Sequence, residues 1–307
     1  MLRYTIRRVL QFVPVWFGVA TLVFLMIHII PGDPVIAMAG GRPLPAETIE
    51  SLRHELGLDQ PIYVQYVRFV LRVLQGDFGK SIVSGLPVMQ ELSWRLPYTV
   101  ELAVVGLGLA IPFGVFLGVM AAIHRGTAWD TAVLVGSLVF ISVPGFWFGL
   151  LLIYVFSVWL RWLPIGGTGG IKTLIMPALV MALSAAPSLA RLTRTSMIEV
   201  LRSDYVRTAR AYGFSEVVVI VKHALRNALN PVVTVTGLSF ASMLGGAFII
   251  EQVFSRPGLG RLAVQSIYSR DIPMIQGIVL YSATLFLVCN LLVDLSYSLL
   301  DPRVRQR

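Results

Sequence analysis

Six long apolar stretches dominate this sequence and leave few folds open to it. They run Val9–Ile30, Thr99–Ile123, Ala132–Leu160, Leu174–Ala190, Leu229–Ile250 and Met274–Leu300. A helix rises 1.5 Å per residue, so about 20 residues cross about 30 Å of hydrocarbon. In lipid the backbone must satisfy its own hydrogen bonds, which makes each stretch a helix. Composition supports this: 56% of the 307 residues are hydrophobic and 13% charged, against about 25% charged in soluble domains. The fourth stretch is the shortest and carries Pro177 and Pro187. Gly114/Gly118 and Gly145/Gly149 have the small-xxx-small spacing that lets helix backbones approach closely. The first stretch has a basic start (Arg3, Arg7, Arg8), and Ala37-Met38-Ala39 resembles a cleavage site. Its apolar core is longer than the 7–15 residues of a signal peptide, so it is expected to be a spanning helix.

The net charge is +9. The basic residues fall between apolar stretches, with no soluble basic face of the kind that binds nucleic acid. Their distribution instead predicts topology. With the N-terminus in the cytoplasm, the inner segments 1–8, 124–131, 191–228 and 301–307 hold 14 of the 25 Lys and Arg against five acids. The outer segments hold 11 against nine. Short loops decide orientation, so both termini are expected inside. The single cysteine, Cys289, is expected to be an apolar packing residue, since one cysteine forms no internal disulfide.

Two loops are long enough for structure of their own. The first, residues 31–98, is expected to be an external helical subdomain. It opens with Pro31-Gly32-Asp33-Pro34 and holds helices at Ala46–Leu56, closed by Gly57, and Pro61–Gln75, followed by Gly76. Tyr63, Tyr66, Val70, Val73 and Leu74 recur at helical spacing. The second, residues 191–228, is expected to be cytoplasmic. It contains Ser203-Asp-Tyr-Val-Arg-Thr-Ala-Arg-Ala-Tyr-Gly213-Phe-Ser215-Glu216. That reads as a short helix with Ser203 as N-cap, Asp204 against the dipole and Gly213 at C′. Ser215 then starts a second helix. Read from the residues alone, this is either a solvated basic loop or a short helix that docks into a partner's groove.

The stretch from Asp204 to Gly213, followed by His223-Ala-Leu-Arg-Asn227-Ala-Leu-Asn-Pro231, resembles the cytoplasmic coupling loop of ABC importer permeases. More narrowly, it resembles the dipeptide/oligopeptide/nickel permease family, which includes glutathione permeases. Further blocks of the resemblance are Leu25 to Pro34, Leu56 to Pro61, Gln75 to Ser81, Gly245 to Arg261, and Asp294 to Arg303. Together they cover nearly the whole length in order. The general motif of such permeases is Glu-Ala-Ala followed by Gly, then Ile-x-Leu-Pro. Aligned on Gly213, its Glu falls at Arg207, its alanines at Thr208 and Ala209, and its late Pro at Arg226, where this chain has its proline at Pro231. The loop thus departs from the broad motif and keeps the peptide-permease variant.

The resemblance implies an all-α integral membrane protein with six transmembrane helices, the type I importer permease fold, as a single permease domain spanning residues 1–307. It implies that Tyr205, Arg207, Thr208, Ala209, Arg210, Ala211, Gly213 and Phe214 form a coupling helix. The implied partners are two nucleotide-binding ATPase subunits, which would bind ATP and Mg, a second homologous permease subunit making a heterodimer, and an extracytoplasmic solute-binding protein. The implied location is a bacterial inner membrane. The implied cargo is di- or oligopeptide, with nickel and glutathione as alternatives within the family. An ion-coupled secondary transporter is the rival outside it, disfavoured by few central membrane acids and no internal repeat. A membrane enzyme is disfavoured because no nucleophile–base or metal constellation stands out.

Gly76-Asp-Phe-Gly79-Lys80-Ser81 looks like a phosphate loop, but the pattern needs glycine at Leu74. No nucleotide binding is expected there, and no metal cluster among His28, His54, His124 and His223. Gly166-Gly-Thr-Gly-Gly170 is expected to be a flexible turn. Acids in the membrane are costly and therefore candidates for function. Glu101 and Asp294 lie near span ends. Glu251, at the outer end of the fifth stretch, is expected to shape an outer gate and, with Asp294, to hold helix ends. Polar pathway candidates within the spans are Ser142, Ser184, Ser188, Thr234, Ser239 and Asn290, each of which could equally be a helix-packing hydrogen bond.

Overall fold

A computed structural model describes residues 2–29, 45–55 and 59–300. The described residues form helices and loops, with one isolated bridge between Lys80 and Pro87. The helices are α1 (Leu2–Ile29), α2 (Ala46–Glu55), α3 (Ile62–Leu74), α4 (Val88–Ile123), α5 (Ala128–Ser142), α6 (Gly145–Leu152) and α7 (Ile171–Leu201). They continue with α8 (Asp204–Ala211), α9 (Glu216–Val218), α10 (Arg226–Gly246), α11 (Phe248–Val253), α12 (Leu259–Tyr268) and α13 (Ile272–Leu300). Two seven-residue π-helical segments, Ile153–Trp159 and Val219–Leu225, follow α6 and α9.

The described part of every apolar stretch is helical apart from breaks in the third and fifth. α1, α4, α7 and α13 contain segments long and apolar enough to cross a membrane alone. The third stretch is sharply bent: α5 and the helix Gly145–Trp159 meet at 95°, the geometry of a broken span or a re-entrant loop. The cause is Pro144, which has no N–H and pushes Val143 into an extended conformation (φ −84, ψ 124). The fifth stretch forms α10 and then, after a break at Ala247, α11. Asn227, Asn230, Thr234, Thr236, Ser239 and Ser242 make α10 more polar than α1, α4 and α13. α7 runs unbroken through Pro177 and Pro187 and continues past Ala190 to Leu201.

The chain divides into two compact units, residues 1–99 with 257–307, and residues 100–256. In the first, α1 packs along α13. Three polar links join them in antiparallel order: Gln276 donates to the Val23 carbonyl (2.7 Å), Trp16 Nε1–H to Thr284 Oγ1 (3.0 Å), and Arg8 pairs with Asp294 (3.1 Å). α3 also packs on α1. Phe69, Val70 and Val73 form its apolar face, and Tyr66 reaches Thr21 at 2.8 Å. Tyr63 and Leu74, expected on that face, are exposed, because Tyr63 lies beyond the contact and Leu74 one residue past its edge. Nearby, the His54 ring hydrogen-bonds Asp59 and holds that carboxyl below its usual range.

In the second unit α7 is the central post, packed by α5, α6, α10 and α4. Gly114 and Gly118 set the α4–α7 distance: a methyl group at Gly114 would lie 2.8 Å from Ala186 O, and one at Gly118 2.5 Å from Ala190 O. Gly145 and Gly149 also make close contacts, with Ser184 and Phe254. At one end of α7, Arg194 grips Asp130 of α5 with two bonds, 2.5 and 2.8 Å, and Gly126 N–H completes the carboxylate's partners at 3.0 Å. Pro31–Pro34, the Leu56-Gly57 helix stop and Asp301–Arg303 lie outside the described residues.

Candidate functional site

The segment following α7 is a braced hairpin of short helices. A helix of eight residues is marginal alone, so tertiary contacts hold α8. Val206 is fully buried and Ala209 nearly so, in a cluster with Ala122, Met197, Val219 and Ala224. Ser203 occupies the N-cap position, but its hydroxyl donates backward to the Val200 carbonyl at 2.6 Å and caps nothing. The expected side-chain cap is therefore replaced by packing. Asp204 stands in the first turn and pairs weakly with Arg207 at 3.4 Å. Gly213 closes the helix with φ +80, the left-handed value that favours glycine. Ser215 then precedes α9 without a side-chain cap.

Three links hold the returning limb. Asn227 Nδ2–H donates to Tyr205 Oη at 2.8 Å. Arg210 forks onto Glu216, with Nε–Oε1 at 2.8 Å and Nη2–Oε2 at 3.3 Å. The Phe214 and His223 rings meet at a 38° tilt with centroids 5.4 Å apart. The sequence blocks contained Tyr205, Arg210, His223 and Asn227, but gave no sign of which residues pair. Of the expected coupling residues, Tyr205, Arg207, Thr208, Arg210, Ala211, Gly213 and Phe214 are exposed, and Ala209 is buried as an anchor. With Tyr212 (81% exposed) and Val217 (71%) they give an aromatic and basic surface on a rigid base.

The pathway candidates do not form one cluster. Ser142 and Ser184 lie near the α5/α6 break, where Phe140, Gly145, Phe148, Val180 and Ser184 line a small cleft. Both hydroxyls donate to carbonyls one turn back, Leu138 and Val180. Ser188 is exposed on α7. Thr234 and Ser239 are half-buried on α10, and Thr234 donates to Asn230 O. Asn290 lies on α13 with Oδ1 buried and unpartnered, one turn before Asp294, which pairs with Arg8. Glu251 is fully buried on α11. Glu101 is bound by Arg256, a residue that sequence reasoning did not single out. The Gly166–Gly170 run is not a loose turn: Gly166 presses on the Phe254 backbone and Gly167 N–H donates to Phe254 O at 3.0 Å. In the phosphate-loop lookalike, the Ser81 hydroxyl donates to buried Asp271 at 2.5 Å.

Comparison with known proteins follows the same lines. Residues 114–306 match the family model described as "Binding-protein-dependent transport system inner membrane component", and residues 1–103 match that of the N-terminal part of such membrane components. The chain is 44% identical over 307 residues to the glutathione transport system permease protein GsiC of Escherichia coli K12, covering 100% of each. It is 44% identical to a Brucella abortus strain 2308 protein whose name places it as a permease of a peptide transport system, covering 98% of each. Among solved structures, an inward-facing form of the MetNI methionine ABC transporter matches with TM-score 0.58 at 19% identity, over 69% of this chain and 97% of that one, a likeness of fold.

Proposed function

The chain belongs to the binding-protein-dependent inner membrane component family of ABC importers, and from that premise we propose how this permease subunit couples to ATP. The hairpin from α8 to Phe214 is the coupling element. It lies on the cytoplasmic side and docks its exposed aromatic and basic face into a groove of a nucleotide-binding subunit. ATP and Mg belong to two such subunits, not to this chain. A second homologous permease supplies the other half of the pathway, and an extracytoplasmic binding protein delivers the solute. Both termini face the cytoplasm of a bacterial cell.

One observation carries this reading: a short helix is fastened to its scaffold by buried Val206 and Ala209 and by the Tyr205–Asn227, Arg210–Glu216 and Phe214–His223 links, while its outward face stays bare. A solvated loop needs no such bracing. A lever does, because slack in its mounting would absorb displacement before α7 or α10 moved. The polar α10 and the break at Pro144 place hydroxyls and amides within spans, the kind of lining that suits a solute rich in amide donors and acceptors.

For cargo we propose small peptide-like solutes. The support is the peptide and glutathione permease names of relatives 44% identical over nearly the full length. Nickel is the family alternative, and uptake competition with dipeptides, glutathione and Ni²⁺ separates the three. The coupling assignment is tested by placing Cys at Tyr212 in a Cys289→Ser background. A membrane-impermeant thiol reagent added outside whole cells should leave that cysteine unlabelled. It should label it in inverted vesicles, and bound ATPase subunit should protect it. Labelling from outside the cell would overturn the proposal.

A further inference from the structure

Far from the coupling hairpin, at the opposite end of α7, several segments converge on the corner Phe254-Ser255-Arg256. α7 has 31 residues, so it separates the two places by about 46 Å. Phe254 is fully buried. Its ring lies against Gly149 of α6, where a methyl group would come within 3.1 Å, and Gly166 approaches its backbone so closely that any β-carbon would collide. The next residue, Ser255, takes φ +50, a left-handed conformation disfavoured for a residue with a β-carbon. Arg256 is 2% exposed and is among the largest fully buried side chains of the described residues. Its Nη2 donates to Glu101 Oε2 of α4 at 2.6 Å across 155 residues, while its Nε is buried without a partner.

Arginine cannot shed its proton, so a buried guanidinium must keep a countercharge. Here Glu101 supplies it, from a side chain 53% exposed. The contrast with Arg194 is informative. That guanidinium is fixed to Asp130 by two bonds, whereas Arg256 holds Glu101 by one and leaves Nε unsatisfied. Left-handed Ser255 stores backbone strain beside this one-point bond, as residues at switching sites do.

We propose that Arg256 and Glu101 are positioning residues, forming a releasable latch that ties α4 to the Phe254 corner and is opened once per transport cycle. The proposal rests on the coupling assignment above. Displacement of α8 travels along α7 to the Gly166–Phe254 seam, and the latch opposes that displacement until a loaded binding protein arrives. Coupling is reciprocal, so a weakened latch must also free the ATPase end.

The test uses the full importer with its ATPase subunits and binding protein, reconstituted with Glu101→Gln. Glutamine keeps an acceptor for Arg256 but leaves its buried charge uncompensated, so assembled yield should fall and each rate is read per assembled complex. ATP hydrolysis without binding protein should rise at least about fivefold, and solute imported per ATP should fall. Glu101→Asp, which keeps the charge, should stay near wild type. A purely structural pair would instead lower hydrolysis and uptake together, in step with assembled complex. That result, or unchanged basal hydrolysis, overturns the latch. Should Glu101→Gln fail to assemble, Ser255→Gly relieves the strain of the closed corner and so holds the latch shut; hydrolysis stimulated by the binding protein is then expected to fall with assembly intact, and an unchanged stimulated rate overturns the proposal equally. A wild-type importer without binding-protein-stimulated hydrolysis would point to failure of the coupling assignment, which is distinct from a coupled wild type beside an unaltered Glu101→Gln.

Discussion

Tyr205 and Asn227 are joined by a 2.8 Å hydrogen bond across 22 residues, closing the base of the coupling hairpin. The bond ties the first turn of α8 to the start of α10, so rotation of one limb carries the other. Losing such a bond costs about 1 kcal/mol. Tyr205→Phe and Asn227→Ala should each insert and assemble normally and reduce ATP-driven uptake. The double variant should do no more harm than either single, because both remove the same link. Additive losses in uptake assays would show the two residues acting separately.

Gly213 gives a sharper discrimination. Its φ of +80 lies in the left-handed region, and nothing lies within 4 Å of an added β-carbon. Strain alone therefore opposes substitution, at about 1–2 kcal/mol for alanine and less for asparagine, which tolerates that region. Uptake should fall in the order glycine, asparagine, alanine. Equal activity of all three would mean that the hairpin's turn geometry does not transmit force. By contrast, Glu216→Gln breaks only a solvent-exposed pair with Arg210 and should cost under about 1 kcal/mol.

How much of this was readable beforehand depended on the range of the interaction. The helices follow from apolar runs, and the left-handed turn at Gly213 and the stop at Gly76 follow from glycine beside a helix end. The contacts at Gly114 and Gly118 follow from spacing, since small residues one turn apart share a face. Three features were not readable. Ser203 has the right identity and place for a cap, but its hydroxyl is spent on Val200. Arg256 looks like an ordinary loop cation until folding brings Glu101 to it from 155 residues away. Gly166 sits in a run that reads as slack, because the Phe254 backbone that confines it lies far along the chain. Local rules reach one or two turns; the latch and the bracing are pairings over tens to hundreds of residues.

Glycine variants in the second unit should separate by position. Gly118→Ala puts a methyl group 2.5 Å from Ala190 O and should lower folded yield and melting temperature, whereas Gly108→Ala and Gly136→Ala meet nothing within 4 Å and should be neutral. Detergent-solubilised yield and thermal unfolding measure this. A neutral Gly118→Ala would mean that the α4–α7 seam can open without cost.

In the α1–α13 pair the three links differ in burial, and so should their variants. Gln276 is nearly buried and reaches a backbone carbonyl, whereas Arg8 and Asp294 are 41% and 35% exposed. Polar links between membrane helices average about 0.6 kcal/mol and reach about 1.7. Gln276→Leu, which leaves the Val23 carbonyl without this donor, should lower the melting temperature of the assembled permease more than Asp294→Asn. The reverse order would show that the charge pair carries the helix contact.

The Asp130–Arg194 pair is the clearest case for a double variant. Asp130 has 6% of its side chain exposed and Arg194 19%, and the carboxylate is met by two guanidinium bonds and the Gly126 N–H. Removing one partner strands the other charge, which costs about 3–5 kcal/mol for a buried pair; Arg194's partial exposure puts the expected loss at the lower end. Asp130→Asn alone should therefore destabilise strongly. Asp130→Asn with Arg194→Met removes the stranded charge as well and should recover most of the melting temperature. If the pair serves only to set helix position, the recovered protein should also regain uptake. Recovered stability with uptake still lost would instead assign these two residues a part in the transport cycle, at the end of α7 that carries the coupling hairpin.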